Sequence, residues 1–181
     1  MCGMKLPKYV FAIDAGATNL GLAIYPHSED ACISRPEHLV CLTAEPRNKA
    51  KESLAASIIR QCAQLSRSLN HYRQRYRPAF VCAEIPSGGA LSASAMRGMA
   101  CATALLASWC AAHSIDLLPV TPTEIKRLVK RGSVSKDDVS EMLEATYSIR
   151  LPRTKAIREH VADAIAAYVV ASKKFSAKFH V

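Results

Sequence analysis

Residues 9–25 read YVFAIDAGATNLGLAIY, two apolar runs joined by a turn of small residues. The first run, Tyr9–Asp14, is rich in β-forming residues and ends on an acid, which is the pattern of a short strand. Ala15–Asn19 has the composition of a turn, and Leu20–Tyr25 resumes as a second strand. Because little chain separates the two strands, they predict the start of a meander, with the carboxylate of Asp14 at the end of the first strand.

The rest of the chain alternates between short apolar runs and helical patterns. Further strands are predicted over residues 38–43, 79–85 and 115–120. Apolar residues recur at helical spacing over residues 54–76, and further helices are predicted over residues 91–113, 135–147 and 157–172, with a capping-box start at residues 121–124. This order predicts an α/β fold, a five-stranded mixed sheet flanked by helices. We expect one domain over residues 1–181, with an exposed basic tail from about residue 173.

The composition favours a folded protein with a polyanionic partner. Half of the 181 residues are apolar and 22% are charged, which argues against disorder. Lysine and arginine number 24 against 15 acids, a formal net charge of +9, so the surface suits nucleic acid or serves only solubility. The 7 cysteines include no closely spaced pair of the kind that binds zinc. We expect them to be free thiols, which are typical of a reducing, intracellular compartment such as the cytoplasm. No segment has the pattern of a signal peptide or of a membrane span.

Three acids interrupt apolar runs in which a carboxylate is costly to bury. Asp14 ends the first strand, Glu84 lies near the end of a buried strand, and Asp163 lies in the last helix. A salt bridge or a cap would explain each acid on its own. If the three converge, their repulsion demands cations, and oxygen ligands select Mg²⁺ or Mn²⁺. His160 precedes Asp163 by one helical turn and would share its site, unless it is only a surface residue beside Glu159.

The turn after Asp14 can be compared with known phosphate-binding loops. Gly16 and Gly21 lack the Lys-Ser/Thr pair of a P-loop, and a following strand argues against a dinucleotide-binding turn. Residues 14–19 do resemble the Asp-x-Gly-x-Thr-Asn phosphate turn of actin-like kinases and ATPases. An actin-like enzyme needs two such domains and a second phosphate loop, and a chain of 181 residues has room for one of these domains.

Four segments together resemble the RuvC family of Holliday junction resolvases. Residues 11–23 resemble its first two strands, and residues 81–84 (VCAE) resemble the strand of its second acid. Residues 119–136 resemble its basic helix and the next helix start, and residues 160–166 (HVADAIA) resemble its C-terminal catalytic helix. The match runs from about residue 9 to residue 172, with the divergence of a phage-type member.

The resemblance implies a ribonuclease H-like fold that works as a homodimer on four-way or branched DNA, with no membrane and no small-molecule cofactor. It implies hydrolysis of phosphodiester bonds by a pair of Mg²⁺ ions in each site. Mn²⁺ would be able to replace these Mg²⁺ ions. Asp14, Glu84 and Asp163 correspond to the metal-binding catalytic carboxylates of the family. His160 corresponds to the fourth catalytic and metal-binding position, where it would either ligate an ion or orient the attacking water.

The resemblance also points to a DNA-binding surface. Lys126 and Lys136 fall where the family has DNA-contacting lysines, and neighbouring basic residues extend them to a rim around the acids: Lys126, Arg127, Lys130, Arg131, Lys136, Arg153, Lys155 and Arg158. A solvated helix face is the alternative, because four acids follow within residues 137–144.

The chain departs from the family pattern in two segments. Residues 87–89 (SGG) replace the aromatic residue that often inserts into the junction, and Leu91 is the nearest large apolar side chain. Residues 26–47 also match poorly. The opening of a junction, the sequence preference, or both would therefore differ from those of the family.

The helix predicted over residues 91–113 bears on assembly. Arg97 is its only charge, and small or apolar residues cover every side. A helix that is hydrophobic all round is buried all round. Since the sheet covers one face, either a second subunit or other helices of this chain cover the rest. We expect a twofold dimer, which suits a junction with two equivalent strands.

Four functions stay open on the sequence alone. The favoured one is a structure-selective DNA endonuclease that resolves four-way junctions by paired cuts. The alternatives are another ribonuclease H-like nuclease that acts on RNA or on branched DNA in general, an actin-like kinase or ATPase domain, and a junction-binding protein without activity.

Overall fold

The structure is a computed structural model, and it describes residues 9–27, 33–86, 92–129 and 134–179, without the side chains of Ser94 and Lys136. Five strands and six helices lie within the described residues. The elements follow one another as β1 (Tyr9–Ala15), β2 (Asn19–Pro26), β3 (His38–Thr43), α1 (Leu54–Tyr76), β4 (Pro78–Glu84), α2 (Ala93–Ala112), β5 (Asp116–Val120), α3 (Pro122–Lys126), α4 (Lys136–Tyr147), α5 (Lys155–Lys174) and α6 (Ser176–Phe179). The predicted mixed α/β fold is confirmed.

The five strands form one sheet in the order β3-β2-β1-β4-β5. β1, β2 and β3 form an antiparallel meander, whereas β4 and β5 run parallel to β1. The parallel pairs need crossover connections, and α1 and α2 provide them. The C-terminal ends of β1, β4 and β5 therefore lie at one edge of the sheet, which we call the carboxyl edge.

Alternation along β1 divides the core into two layers. Phe11 and Ile13 face α1 and α2, while Val10 and Ala12 face α5. Because side chains alternate along a strand, Asp14 belongs to the same face as Val10 and Ala12. α5 lies across this face, in contact with β2, β1 and β4, and all its residues from Val161 to Ala171 are buried.

α2 leaves one face open, so the alternative in which other helices of this chain cover it does not hold within the described residues. Leu106 and Trp109 are buried against the sheet and α1, whereas Met96 is 54% exposed and the outward alanines are exposed. Among the described helices, α2 has the one stretch long and apolar enough to cross a membrane by length and composition, Ala95–Ala112, of which 22% is buried. Helices of the same chain do not cover this face within the described residues.

The C-terminal tail is not a plain exposed end, which corrects the sequence-based expectation. Phe179 in α6 is 8% exposed, and its ring packs 4.9 Å from Phe80 and 5.4 Å from Tyr168. Lys178 also forms an ion pair with Asp116 at the start of β5. Hydrophobic periodicity does not predict this packing, because Phe175 and Phe179 stand among lysines.

Candidate metal centre

Strand register brings two of the predicted acids together. Asp14 near the end of β1 and Glu84 at the end of β4 are paired residues of adjacent parallel strands. Paired residues point to the same face of a sheet, so both carboxylates lie at the carboxyl edge on the α5 side. Both side chains are partly buried.

A glycine allows α5 to bring the third acid to the same edge. Gly21 in β2 is paired with Asp14, and a Cβ atom at this position would lie 2.1 Å from the backbone oxygen of His160. A side chain of any size would thus hold α5 away from the sheet. Without one, the first half of α5 rests on β2, and Asp163 reaches the two strand acids.

The three carboxylates form one compact cluster. One oxygen atom from each of Asp14, Glu84 and Asp163 lies within 4.8 Å of the other two, and Asp163 is only 9% exposed. Three negative charges at this spacing repel one another strongly, and a divalent cation bound between them relieves that repulsion. The donors are all hard carboxylate oxygens, which suit Mg²⁺ or Mn²⁺. The residues present therefore fit the implied metal.

His160 lies beside this cluster, as its spacing from Asp163 predicts. Its Nδ1 atom is 2.6 Å from Oδ2 of Asp14, and the His160 and Asp14 side chains are 23% and 16% exposed. If Nδ1–H donates to this carboxylate, the neutral ring carries its lone pair on Nε2. The pair holds the Asp14 carboxylate in one orientation and gives His160 an atom that could accept a proton from water.

The same row of the sheet continues to a cysteine. Cys41 in β3 is paired with Gly21, two strands away from Asp14. Burial raises the pKa of the Cys41 thiol, and the negative charge of Asp14 adds to the effect. The Cys41 thiol thus stays protonated at neutral pH. Zinc prefers a deprotonated, soft thiolate, so Cys41 does not turn the neighbouring carboxylates into a zinc site.

The predicted basic rim is only partly described. Lys130 and Arg131 lie outside the described residues, and Lys136 begins α4 without a described side chain. Lys126 ends α3, and Arg127 follows it, both exposed. Arg127 also borders a groove of about 380 Å³ between α3 and the end of α5, together with Lys173.

Two further residues of the rim, Lys155 and Arg158, form ion pairs with acids of α4. Arg158 donates to the Glu144 carboxylate at 2.7 Å and thereby ties α5 to α4. Lys155 lies 3.7 Å from Asp137, with both side chains more than half exposed. Arg153 is exposed just before α5. These contacts are typical of a solvated helix face with paired charges, which was the alternative to a DNA-binding rim.

One structural contact in this region was missed by the sequence analysis. The capping-box carboxylate of Glu124 accepts from the Thr121 backbone at 2.8 Å and forms a 2.8 Å ion pair with Lys174 at the end of α5. The hydrogen bond from Lys174 and that from Thr121 lower the pKa of Glu124 to about 2. Sequence spacing reveals the capping box but not the lysine, which lies 50 residues further along the chain.

Comparison with known proteins gives the same fold. Thermus thermophilus RuvC in complex with a Holliday junction substrate matches with a TM-score of 0.69 at 21% identity, over 94% of this chain and 95% of that one. RuvC of the same species in a second structure gives 0.62 at 20% identity, again over 94% and 95%. The yeast mitochondrial Holliday junction resolvase Ydc2 gives 0.60 at 13% identity, over 98% of this chain and 82% of that one. No protein-family model and no curated protein sequence matches the chain.

These likenesses confirm the ribonuclease H-like fold that the four sequence segments indicate. They extend over nearly the whole described chain, so the resemblance goes beyond the segments that carry the acids. At identities of 13–21%, they establish the fold.

Proposed function

We propose that this protein is a structure-selective DNA endonuclease that resolves four-way junctions by metal-dependent hydrolysis of phosphodiester bonds. The observation that carries the proposal is the cluster of Asp14, Glu84 and Asp163 at the carboxyl edge of a RuvC-like sheet. One structure with this fold is that of a RuvC bound to a Holliday junction substrate. The cysteines within the described residues are free thiols, which agrees with an intracellular, cytoplasmic location.

The metal would be held by Asp14, Glu84 and Asp163, as a pair of Mg²⁺ or Mn²⁺ ions in each site. When bound, the ions would activate the attacking water and offset the charge on the leaving 3′ oxygen. The chain's own contribution is to hold three carboxylates within 4.8 Å of one another before DNA arrives. This arrangement is rigid because two of the acids stand on adjacent strands and the third on a buried helix.

His160 orients Asp14 through the 2.6 Å contact and could take a proton at Nε2. Exposed basic residues beside α3, Lys126 and Arg127, would bind the phosphate backbone, together with other members of the rim. Affinity for DNA would then fall steeply as salt rises.

The proposal includes a homodimer formed through the open face of α2. Two cuts at symmetric positions of a junction need two sites related by a twofold axis. The exposed alanines of α2 offer small side chains on which a second copy of the same helix would pack closely.

The test compares a labelled four-way junction, a duplex of the same sequence and a structured RNA, each with Mg²⁺ or with EDTA. We expect paired nicks in the junction with Mg²⁺ and no cleavage with EDTA. The Asp14→Asn variant should bind the junction in a gel-shift assay and fail to cut it. Cleavage of RNA instead would identify a different ribonuclease H-like nuclease, and binding without metal-dependent cleavage would identify a junction-binding protein.

A further inference from the structure

A second surface of distinct chemistry lies at the edge of the sheet opposite the carboxylates. It is formed where α1 ends and β1 begins. Tyr9 is the first residue of β1, and at about 3.3 Å per residue the strand separates it from Asp14 by about 17 Å. We call this surface the arginine–tyrosine patch and define it by six residues: Tyr9, Tyr72, Arg73, Arg75, Tyr76 and Arg77.

The arginines of the patch lack acidic partners within the described residues. Arg75 and Arg77 are exposed, and Arg73 is partly buried, with an Nε atom that is buried without a described hydrogen-bond partner. Arg60 on the same helix differs, because it forms a 2.9 Å ion pair with Glu52. Positive charge without a described acidic partner is therefore densest at the C-terminal end of α1, and Arg67 adds one more exposed arginine earlier in the helix.

The charge of Arg73 also affects a nearby imidazole. Burial lowers the pKa of His113, and the positive charge of Arg73 lowers it further. His113 is thus neutral at physiological pH. Within the described residues, no carboxylate forms an ion pair with Arg73, so its positive charge is not offset. A cationic surface left without counter-charges suits an external anion.

The tyrosine rings of the patch pack on one another, and one of them lies under a guanidinium group. Tyr76 is stacked nearly parallel to Tyr72, with ring centroids 6.3 Å apart, and meets Tyr9 edge to face at 5.1 Å. The Arg75 guanidinium lies 5.1 Å above the Tyr76 ring. Tyr9 and Tyr72 are partly buried, and Tyr72 also packs 5.4 Å from the ring of His38, whose Nε2 atom lies 3.3 Å from the Tyr72 hydroxyl.

The patch lacks the apolar centre that protein partners use. The large hydrophobic residues exposed within the described chain are Ile59, Met96 and Ile157, and none of them belongs to the patch. Protein interfaces bury an apolar core, whereas nucleic-acid interfaces are polar and strongly positive. Guanidinium groups bind phosphates through paired hydrogen bonds, and tyrosine rings stack on unpaired bases.

We propose that the arginine–tyrosine patch binds the sugar–phosphate backbone of a nucleic acid, as a second contact remote from the carboxylates. Arg75 and Arg77 engage phosphates, and Tyr72 adds stacking where the strand is unpaired. This second contact deepens the proposed function, on which it rests for the identity of the nucleic acid as DNA. It can be measured without cleavage, because binding in EDTA does not require the metal centre.

The test is the salt dependence of binding in EDTA, measured by fluorescence anisotropy on a labelled 30-nucleotide single strand and on a labelled duplex. The Arg75→Gln plus Arg77→Gln variant should weaken binding at low salt by tenfold or more. The slope of log affinity against log salt should become shallower by about 0.7 per lost contact on the single strand and by about 0.9 on the duplex. Tyr72→Leu should weaken binding to the single strand more than to the duplex.

Controls separate this contact from charge, folding and activity. Arg75→Lys plus Arg77→Lys keeps the charge and should retain the salt slope, and thermal unfolding establishes that each variant is folded. If the native chain fails to cut junctions in Mg²⁺, the proposed function fails, while the slopes measured in EDTA still report on the patch.

Two results would overturn the inference. One is a slope unchanged by the glutamine pair on both the single strand and the duplex. The other is undiminished DNA binding together with lost binding to poly-L-glutamate, which would identify the patch as a site for an acidic polypeptide.

Discussion

Gly21 sets the distance between α5 and the sheet, because any Cβ atom at that position would overlap the backbone of His160. Gly21→Ala should therefore displace α5 and destabilise the protein by about 3 kcal/mol, the upper range for overpacking of a core. Urea unfolding measures the loss. The displaced Asp163 should also weaken the binding of Mg²⁺.

Gly98→Ala is the matched control. Its added Cβ would lie 3.1 Å from the Ala17 methyl group, a milder contact than the backbone clash at Gly21. Alanine also gains about 1 kcal/mol of helix propensity within α2. Equal losses for the two variants would contradict the role assigned to Gly21.

The three carboxylates should make the stability of the folded protein depend on divalent cations. With Mg²⁺ at a hundred times its dissociation constant, the native protein should gain about 2.7 kcal/mol. In a protein of this size, that gain raises the melting temperature by about 5–10 °C. Asp163→Asn should lose most of this response and should melt higher than the native protein in EDTA, because it removes one of three repelling charges.

Thermal unfolding with and without Mg²⁺ measures both effects of Asp163→Asn. Asp137→Asn is the control, since that side chain is 65% exposed and lies outside the cluster. If Mg²⁺ does not change the melting temperature of the native protein, the result would argue against a metal centre.

The contact between α3 and α5 predicts a pH dependence. The pKa of Glu124 is lowered to about 2, so its contacts stabilise the fold fully above the ordinary carboxyl pKa of 4.5. That stabilisation is lost as the pH falls from this value through about 2. Glu124→Gln should thus be less stable than the native protein at pH 6, and the difference should shrink towards pH 2.

Urea unfolding at several pH values measures this difference. Glu141→Gln, an exposed change on α4, should show a small difference at every pH. A constant gap between Glu124→Gln and the native protein would mean that the carboxylate does not titrate with folding.

Local patterns predicted most elements because strand and helix periods are properties of short segments. The acids were located because charges inside apolar runs stand out, and the order of the segments suggested that the acids converge. The helix face was predicted less well at the start of α1, where Ser57 and Gln61 are buried although the apolar stripe runs through Ile58 and Cys62. Gln61 donates to the backbone oxygen of Glu45, a long-range contact that hydrophobic periodicity does not encode.

The tertiary role of a small residue is equally hidden from local patterns. Gly21 reads as part of a strand, and only the packed helix reveals why a side chain is excluded there. The burial of α6 depends on rings from β4 and α5, which no local pattern connects. The loop of residues 87–91, where the sequence lacks an aromatic wedge, lies outside the described residues.

The open face of α2 makes assembly a property of the whole molecule. Ala104 is exposed on that face, and Ala104→Arg should place a charge in the proposed dimer interface. We expect the native protein to sediment as a dimer at micromolar concentration and the variant as a monomer. The monomer should leave junctions with single rather than paired nicks.

Ala145→Arg provides the matched control, because Ala145 is an exposed alanine on α4, on the opposite side of the sheet. It should leave the sedimentation of the protein unchanged. A native protein that sediments as a monomer would contradict the dimer.

α5 supplies Asp163 and His160 while its residues from Val161 to Ala171 are buried in the core. A copy of the chain in which this helix detaches loses a metal ligand in the same event that exposes the protein interior. Under the proposed function, a misfolded or incompletely synthesised copy would lack its metal site, so DNA cleavage would begin only once folding is finished.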